Sequence, residues 1–180
     1  NKNSKILDIG CGRGKIFASI YRKLKLNNKP IGIDPVNHKH VDKFIDFRNE
    51  CVFKFFRTNQ DKFDLIMIKQ TLHFFNKDKR QRLLNICKNN LKKNGLLIIL
   101  SLNTSNNEIP CFKLMKQKLN KGLKRDARML KSVRKLLVNS KVDKFEFKVS
   151  INKNKYIQML KQKYISCLIN LSKSQINKGI

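Results

Sequence analysis

Residues 5–15 read Lys-Ile-Leu-Asp-Ile-Gly-Cys-Gly-Arg-Gly-Lys, a short apolar run that passes into three glycines at alternate positions, and apolar residues at helical spacing follow. Such a stretch is constrained to strand, tight turn and helix. Glycine accepts positive φ and close backbone approach, and the turn delivers its amides to a helix start, where unpaired N–H groups face outward. A turn of this kind suits a nucleotide-like ligand. A side chain added at Gly10 or Gly12 is expected to harm binding.

The rest of the chain repeats the alternation of strand and helix. Ile16, Phe17, Ile20, Tyr21 and Leu24 give the first helical face, which Asn27-Asn28-Lys29-Pro30 ends. Ile31-Gly32-Ile33-Asp34-Pro35 reads as a second strand closed by an acid, with Asp34 at the offset from the glycines where a βαβ unit presents a carboxylate to ribose hydroxyls. Lys43 to Asp46 reads as a short third strand followed by a helix, and Phe63 to Ile68 as a buried fourth strand. Asp78 to Gln81 has capping-box spacing before Leu83, Leu84, Cys87 and Leu91, Asn94-Gly95 supplies a helix stop, and Leu96 to Leu100 reads as a fully buried fifth strand. Beyond Pro110 an amphipathic helix is expected to about Val138, with Gly122 as a candidate break. A strand over Lys144 to Ile151 and a helix from about Asn154, carrying Ile157, Leu160, Tyr164, Leu168 and Leu171 on one face, complete the chain.

This order predicts an α/β, Rossmann-like fold. The sheet is mostly parallel, with helices on both faces and the ligand at the carboxyl ends of the strands. No repeat or linker interrupts the 180 residues, which read as a single domain.

Composition limits the partners. Lys and Arg number 41 against 12 Asp and Glu, a formal charge of +29, which favours polyanions. The cations are mostly Lys, Ala occurs only at positions 18 and 127, and Trp is absent, so codon bias from an AT-rich genome is the preferred origin of that charge. A nucleic-acid partner is therefore an option rather than the first expectation. Cys11, Cys51, Cys87, Cys111 and Cys167 are scattered without metal-ligand or disulfide spacing, which points to a reducing, cytoplasmic setting and no metal. No run is long and apolar enough to span a membrane. The chain does not begin with Met and its glycine turn lies close to residue 1, so a piece of a longer protein, truncated at both ends, is expected.

Three ligand chemistries compete for the turn. A phosphate-cradling loop needs Ser or Thr after Gly-Lys, whereas Gly14-Lys15 precedes Ile16. The dinucleotide pattern needs G-x-G-x-x-G, and here the spacing is G-x-G-x-G. What remains is the combination of Asp8 two residues before the first glycine, Asp34 after the next strand, and Phe63-Asp64 opening a later one.

That combination resembles the class I S-adenosylmethionine-dependent methyltransferases, in particular their small-molecule, methyltransferase type 11-like branch. The likeness spans roughly residues 4–100. It implies S-adenosyl-L-methionine as cofactor, with Gly10, Cys11, Gly12 and Gly14 around its methionine portion and Asp8 beneath them. Asp34 would accept from the ribose hydroxyls, Pro35 and Val36 would lie near the adenine, and Asp46 is the candidate for its amino group. Lys69 falls in Ile68–His73, the segment such enzymes place between cofactor and substrate, and His73 is the candidate general base. The resemblance assigns residues 1–100 to the cofactor-binding core and 101–180 to substrate-side and lid elements. No Asn/Asp-Pro-Pro-aromatic run follows the fourth strand, which disfavours methylation of exocyclic amines. A small-molecule acceptor is the first expectation, RNA the second, and a non-catalytic binding or interaction domain on the same scaffold the third.

Overall fold

The structure is a computed structural model that describes residues 1–105, 108–146 and 148–180. The chain divides into two compact units, Asn1–Leu102 and Asn103–Ile180.

The first unit contains β1 (Ile6–Ile9), α1 (Lys15–Leu24), β2 (Ile31–Ile33), β3 (Asp46–Arg48), α2 (Val52–Thr58), β4 (Phe63–Lys69), α3 (Lys77–Asn89) and β5 (Leu91–Leu100). Every pairing is parallel and the order is β3-β2-β1-β4-β5. The strand order therefore reverses between β1 and β4, the switch point where α/β sheets open a crevice at the strands' carboxyl ends. All four residues of β1 are buried, as a central strand covered on both faces requires. Ile6 and Met67 pack with Phe17 of α1, and Ile98 packs against the same cluster. Alternation turns Leu7, Ile9, Ile66 and Ile68 to the opposite face.

Several boundaries differ from the sequence-based expectation, each for a tertiary reason. The third strand begins at Asp46 rather than ending there, because Asp42 folds the preceding residues into a turn: its Oδ1 accepts from the Phe44 amide at 3.1 Å and its carbonyl from the Ile45 amide at 3.2 Å. Helix α3 is capped by Asn76, whose side chain accepts from the Lys79 amide at 2.9 Å, rather than by Asp78. It ends at Asn89, and Asn94-Gly95 instead forms an irregularity inside β5, where pairing jumps from Phe63↔Leu91 to Leu65↔Leu96 and Asn94 has φ 67°. Strand β5 lies at the sheet edge, so it is only partly buried and Leu96 is 57% exposed.

The second unit is helical: α4 (Lys113–Leu136), α5 (Lys153–Lys161), a 3₁₀ turn at Ser166–Leu168, and α6 (Lys173–Asn177). Met115, Leu160, Leu168, Leu171 and Ile176 form a core cluster, and the Tyr156 hydroxyl donates to the Pro110 carbonyl at 2.7 Å. Helix α4 runs unbroken through Gly122; a helical glycine costs about 1 kcal/mol, less than is gained by burying Met115, Leu123, Met129 and Val133. The expected long final helix is three short pieces, since Lys163 takes φ 53° and turns the chain. Tyr164 is consequently exposed. The strand expected over 144–151 does not form among its described residues, which pair with no neighbour; Phe147 lies outside them. Alternating apolar residues without a hydrogen-bonding partner do not make a strand. Among the described residues no helix is long and apolar enough to cross a membrane.

Candidate functional site

The carboxyl ends of the strands bring four segments together. The turn after β1 gives Gly10, Gly12 and Gly14 φ values of 74°, 57° and 69°. Each glycine is thus in the left-handed region, which any other residue occupies at a cost. A Cβ at Gly10 would collide with the Thr71 side chain, and one at Gly14 would lie 2.7 Å from Ile45 Cγ2, while one at Gly12 would meet nothing within 4 Å. The outer two glycines are required by the protein's own packing, and the middle one by conformation alone. Gly14 also caps α1, and no acidic residue occupies that helix's first turn.

The turn is anchored to β2. The Gly10 and Cys11 amides donate to the Ile33 carbonyl at 2.8 and 3.2 Å, and the Gly12 amide donates to Asp34 Oδ2 at 3.0 Å. Asp34 Oδ1 accepts from the Val36 amide at 2.9 Å and has His38 Nε2 at 3.3 Å. The main chain of Asp34 is held in turn by the end of β3: its amide donates to the Arg48 carbonyl at 3.2 Å, and Asn49 Nδ2 donates to its carbonyl at 3.1 Å. Asp34 is a buried, fully oriented carboxylate with one lone-pair direction on Oδ2 left for a further donor.

Asp8 is 3% exposed, and its Oδ1 has no hydrogen-bond partner among the described residues. Burial raises its pKa to about 7; the Lys69 ammonium opposes that rise and the Asp34 carboxylate adds to it. An orphaned, buried carboxylate oxygen is costly unless a ligand supplies a donor. Cys11 beside it is held as a neutral thiol, its pKa pushed up to about 12 by burial and by the charges of Asp8 and Asp34. Its Sγ would lie 2.8 Å from a Cβ at Gly32, so it packs the turn against β2 and is not a nucleophile.

After β4 the chain turns at Gln70, φ 50°, and Thr71 Oγ1 donates to the Lys69 carbonyl at 2.9 Å. Thr71 thereby braces Gly10, a contact across 61 positions that nothing in the sequence announces. His73 follows in a 3₁₀ turn, half-buried, its ring 4.1 Å from that of Phe74.

The structure thus gathers Asp8, the three glycines, Cys11, Asp34, Pro35 and Lys69 at one end of the sheet, with His73 in the segment leaving it. Asp46 is not among them. It opens β3 in register with Ile31, at the amino end of the strands, and pairs with Arg48 at 2.8 Å. Asn49 and Glu50 are the residues that leave β3 at the crevice end. Thr71 falls in the expected Ile68–His73 segment, but its contact with Gly10 is not foreseen from sequence, nor is His38, for which the four-residue offset from Asp34 is the one signal.

Comparison with solved structures places an O-methyltransferase family protein from Burkholderia thailandensis beside this chain at TM-score 0.52 and 15% identity, over 74% of this chain and 45% of that one. PKMT2 from Rickettsia typhi, solved with AdoHcy, matches at TM-score 0.49 and 14% identity, over 78% and 30%. CalO1, a methyltransferase of calicheamicin biosynthesis solved in its SAH-bound form, matches at TM-score 0.47 and 15% identity, over 69% and 38%. The chain therefore spans less than half the length of each of these proteins, and the first likeness establishes the fold alone. No curated protein matches the sequence. A family model described as a methyltransferase domain matches residues 1–144. That match covers the glycine turn, all five strands and α4, and the chain belongs to the methyltransferase domain family.

Proposed function

We propose that the crevice at the carboxyl ends of the strands binds S-adenosyl-L-methionine and that the chain directs its methyl group to a small-molecule acceptor. The observation that carries this reading is Asp8 Oδ1, buried beneath a turn of three left-handed glycines and without a hydrogen-bond partner among the described residues. When bound, the cofactor supplies a methyl group on a cationic sulfur, together with an ammonium and a ribose diol. The residues present fit it. Asp8 offers a buried acceptor to the ammonium, Asp34 Oδ2 retains room for a hydroxyl, and Pro35 with the 57% exposed Val36 offers apolar surface to the adenine. Asn49 and Glu50 take over the adenine-side place first expected for Asp46. S-Adenosyl-L-methionine carries no phosphate, which agrees with the missing Ser or Thr after Lys15.

Methyl transfer is an in-line displacement, so the protein's task is alignment and exclusion of water. His73 is proposed to take the acceptor's proton where the acceptor carries one. The segment Lys69-Gln70-Thr71-Leu72 lacks the Pro-Pro-aromatic run of amino-group enzymes, which disfavours an exocyclic amine as acceptor. RNA is the alternative, favoured by the basic α4. The cytoplasm is the proposed setting, from the dispersed cysteines.

Titration calorimetry with S-adenosylhomocysteine tests the cofactor half: binding heat is expected, and none from a folded protein overturns the reading. Tritium transfer from the labelled donor into metabolite or RNA fractions then decides the acceptor.

A further inference from the structure

Charge on this chain is not evenly spread. Helix α4 carries ten Lys and Arg against Asp126 alone, so 24 of the 180 residues hold nearly a third of the net charge. In the first unit 22 Lys and Arg accompany eight Asp and Glu, and several of these acids pair, as in Lys5–Asp61, Arg22–Asp42 and Lys92–Asp64. Among the described residues the one ion pair within α4 is Arg125–Asp126.

The position of the cations on the helix matters more than their number. Lys121, Lys124, Arg128, Lys131 and Lys135 are all exposed and follow one another by three and four residues, which aligns them on a single face. Met115, Leu123, Met129 and Val133 are buried, so the helix turns its apolar side inward and presents cations outward. At 1.5 Å per residue the whole helix is about 36 Å long, enough to follow several successive phosphates. An interfacial membrane helix needs an apolar side free to enter the lipid, and here that side is already used. Beyond the helix, Phe145 is 78% exposed, with Lys144 and Glu146 on either side of it, and offers an aromatic face of the kind on which an unpaired base stacks.

We infer that the cationic face of α4 is a docking surface for single-stranded RNA. Phosphates along the strand meet the Lys and Arg row, and Phe145 offers a stacking platform. Stacking on Phe145 requires an unpaired base, which favours a single strand over duplex DNA, and unpaired segments are the form in which RNA is ordinarily recognised. The inference concerns where RNA is held and stands whether or not RNA receives a methyl group.

The test is fluorescence anisotropy of the full chain with a labelled, unstructured RNA of about twenty nucleotides, repeated over a series of salt concentrations. The variant K124E/R128E/K131E is compared with K23E/K54E/K93E, which removes the same charge from exposed positions of the first unit. The α4 variant is expected to lose tenfold or more in affinity, with the slope of log K against log salt falling by about 2, since each lost single-strand contact is worth about 0.7. The control is expected to stay within a few-fold of wild type. Equal losses in both variants would mean that diffuse charge binds, and would overturn the proposal. So would tighter binding to phosphatidylserine vesicles or duplex DNA than to the RNA. F145A is expected to weaken binding at all salt concentrations without changing the slope; unchanged affinity would overturn the single-strand assignment. All seven substituted side chains are exposed, and circular dichroism verifies that each variant folds.

Discussion

Asp34 Oδ2 accepts the Gly12 backbone N–H at 3.0 Å, so the carboxylate at the end of β2 holds the middle of the glycine turn that follows β1. One side chain therefore both shapes the cradle and faces it. The other oxygen is occupied by the Val36 amide and approached by His38, which fixes the carboxylate's plane.

Replacing Asp34 should separate these roles only in part. Asp34→Ala removes the acceptor for two amides and is expected to cost about 1–3 kcal/mol of stability, since each buried donor left unpaired is expensive. S-Adenosylhomocysteine affinity should fall as well, by at least about tenfold. Thermal melts beside calorimetry check this, and a variant that binds as well as wild type would contradict the assignment.

The glycines should divide by what lies around them. Gly10→Ala meets both a left-handed φ, worth about 1–2 kcal/mol, and the Thr71 side chain, so it should lower the melting temperature clearly. The double variant Gly10→Ala/Thr71→Ala should recover only part of the steric share, because the Thr71 Cβ that alanine keeps still lies 2.8 Å from the new Cβ, and none of the conformational one. Gly12→Ala has open space around its Cβ, so it should fold with a smaller loss and still bind the cofactor poorly. Equal melting temperatures for Gly10→Ala and Gly12→Ala would refute the Thr71 contact.

These residues also mark how far local pattern carries. The glycine turn was legible because its geometry is set by residues adjacent in sequence, and Asp34 because strand and helix lengths fix its offset. Asp46 was misplaced because the start of β3 depends on the Asp42 turn, which displaces the strand past the acid. Thr71 was invisible because its contact with Gly10 exists only once β1 and β4 pair. The burial of β5 was overestimated because an apolar run does not reveal whether a strand has a neighbour on each side, and residues 144–151 were read as a strand for the same reason.

His73 offers a test of the acceptor's chemistry. His73→Ala is expected to leave S-adenosylhomocysteine affinity within about threefold. Removing a general base typically costs about 10²–10⁴-fold in turnover, provided the acceptor carries a proton. A carboxylate acceptor needs no base, and turnover would then be nearly unchanged. Loss of donor affinity in this variant would assign His73 to the cofactor instead.

Asp8 makes both stability and ligand affinity depend on pH, in opposite senses. Its pKa is raised by burial from 3.8 to about 7 in the folded chain. The folded state therefore holds a proton that the unfolded state releases. That contribution to stability is fully present below about pH 4 and is lost as pH rises through about 7. Asp8→Asn does not titrate, so its melting temperature relative to wild type should increase between pH 5 and pH 8. A ligand ammonium, in contrast, needs the ionised carboxylate. With a pKa near 7, the charged fraction rises about tenfold from pH 6 to pH 8, so S-adenosylhomocysteine affinity should rise by about that factor and the variant's should stay flat. Calorimetry at the two pH values in buffers of different ionisation heat would show the proton leaving Asp8 on binding at pH 6. Affinity independent of pH in the wild-type protein would remove Asp8 from the ammonium site.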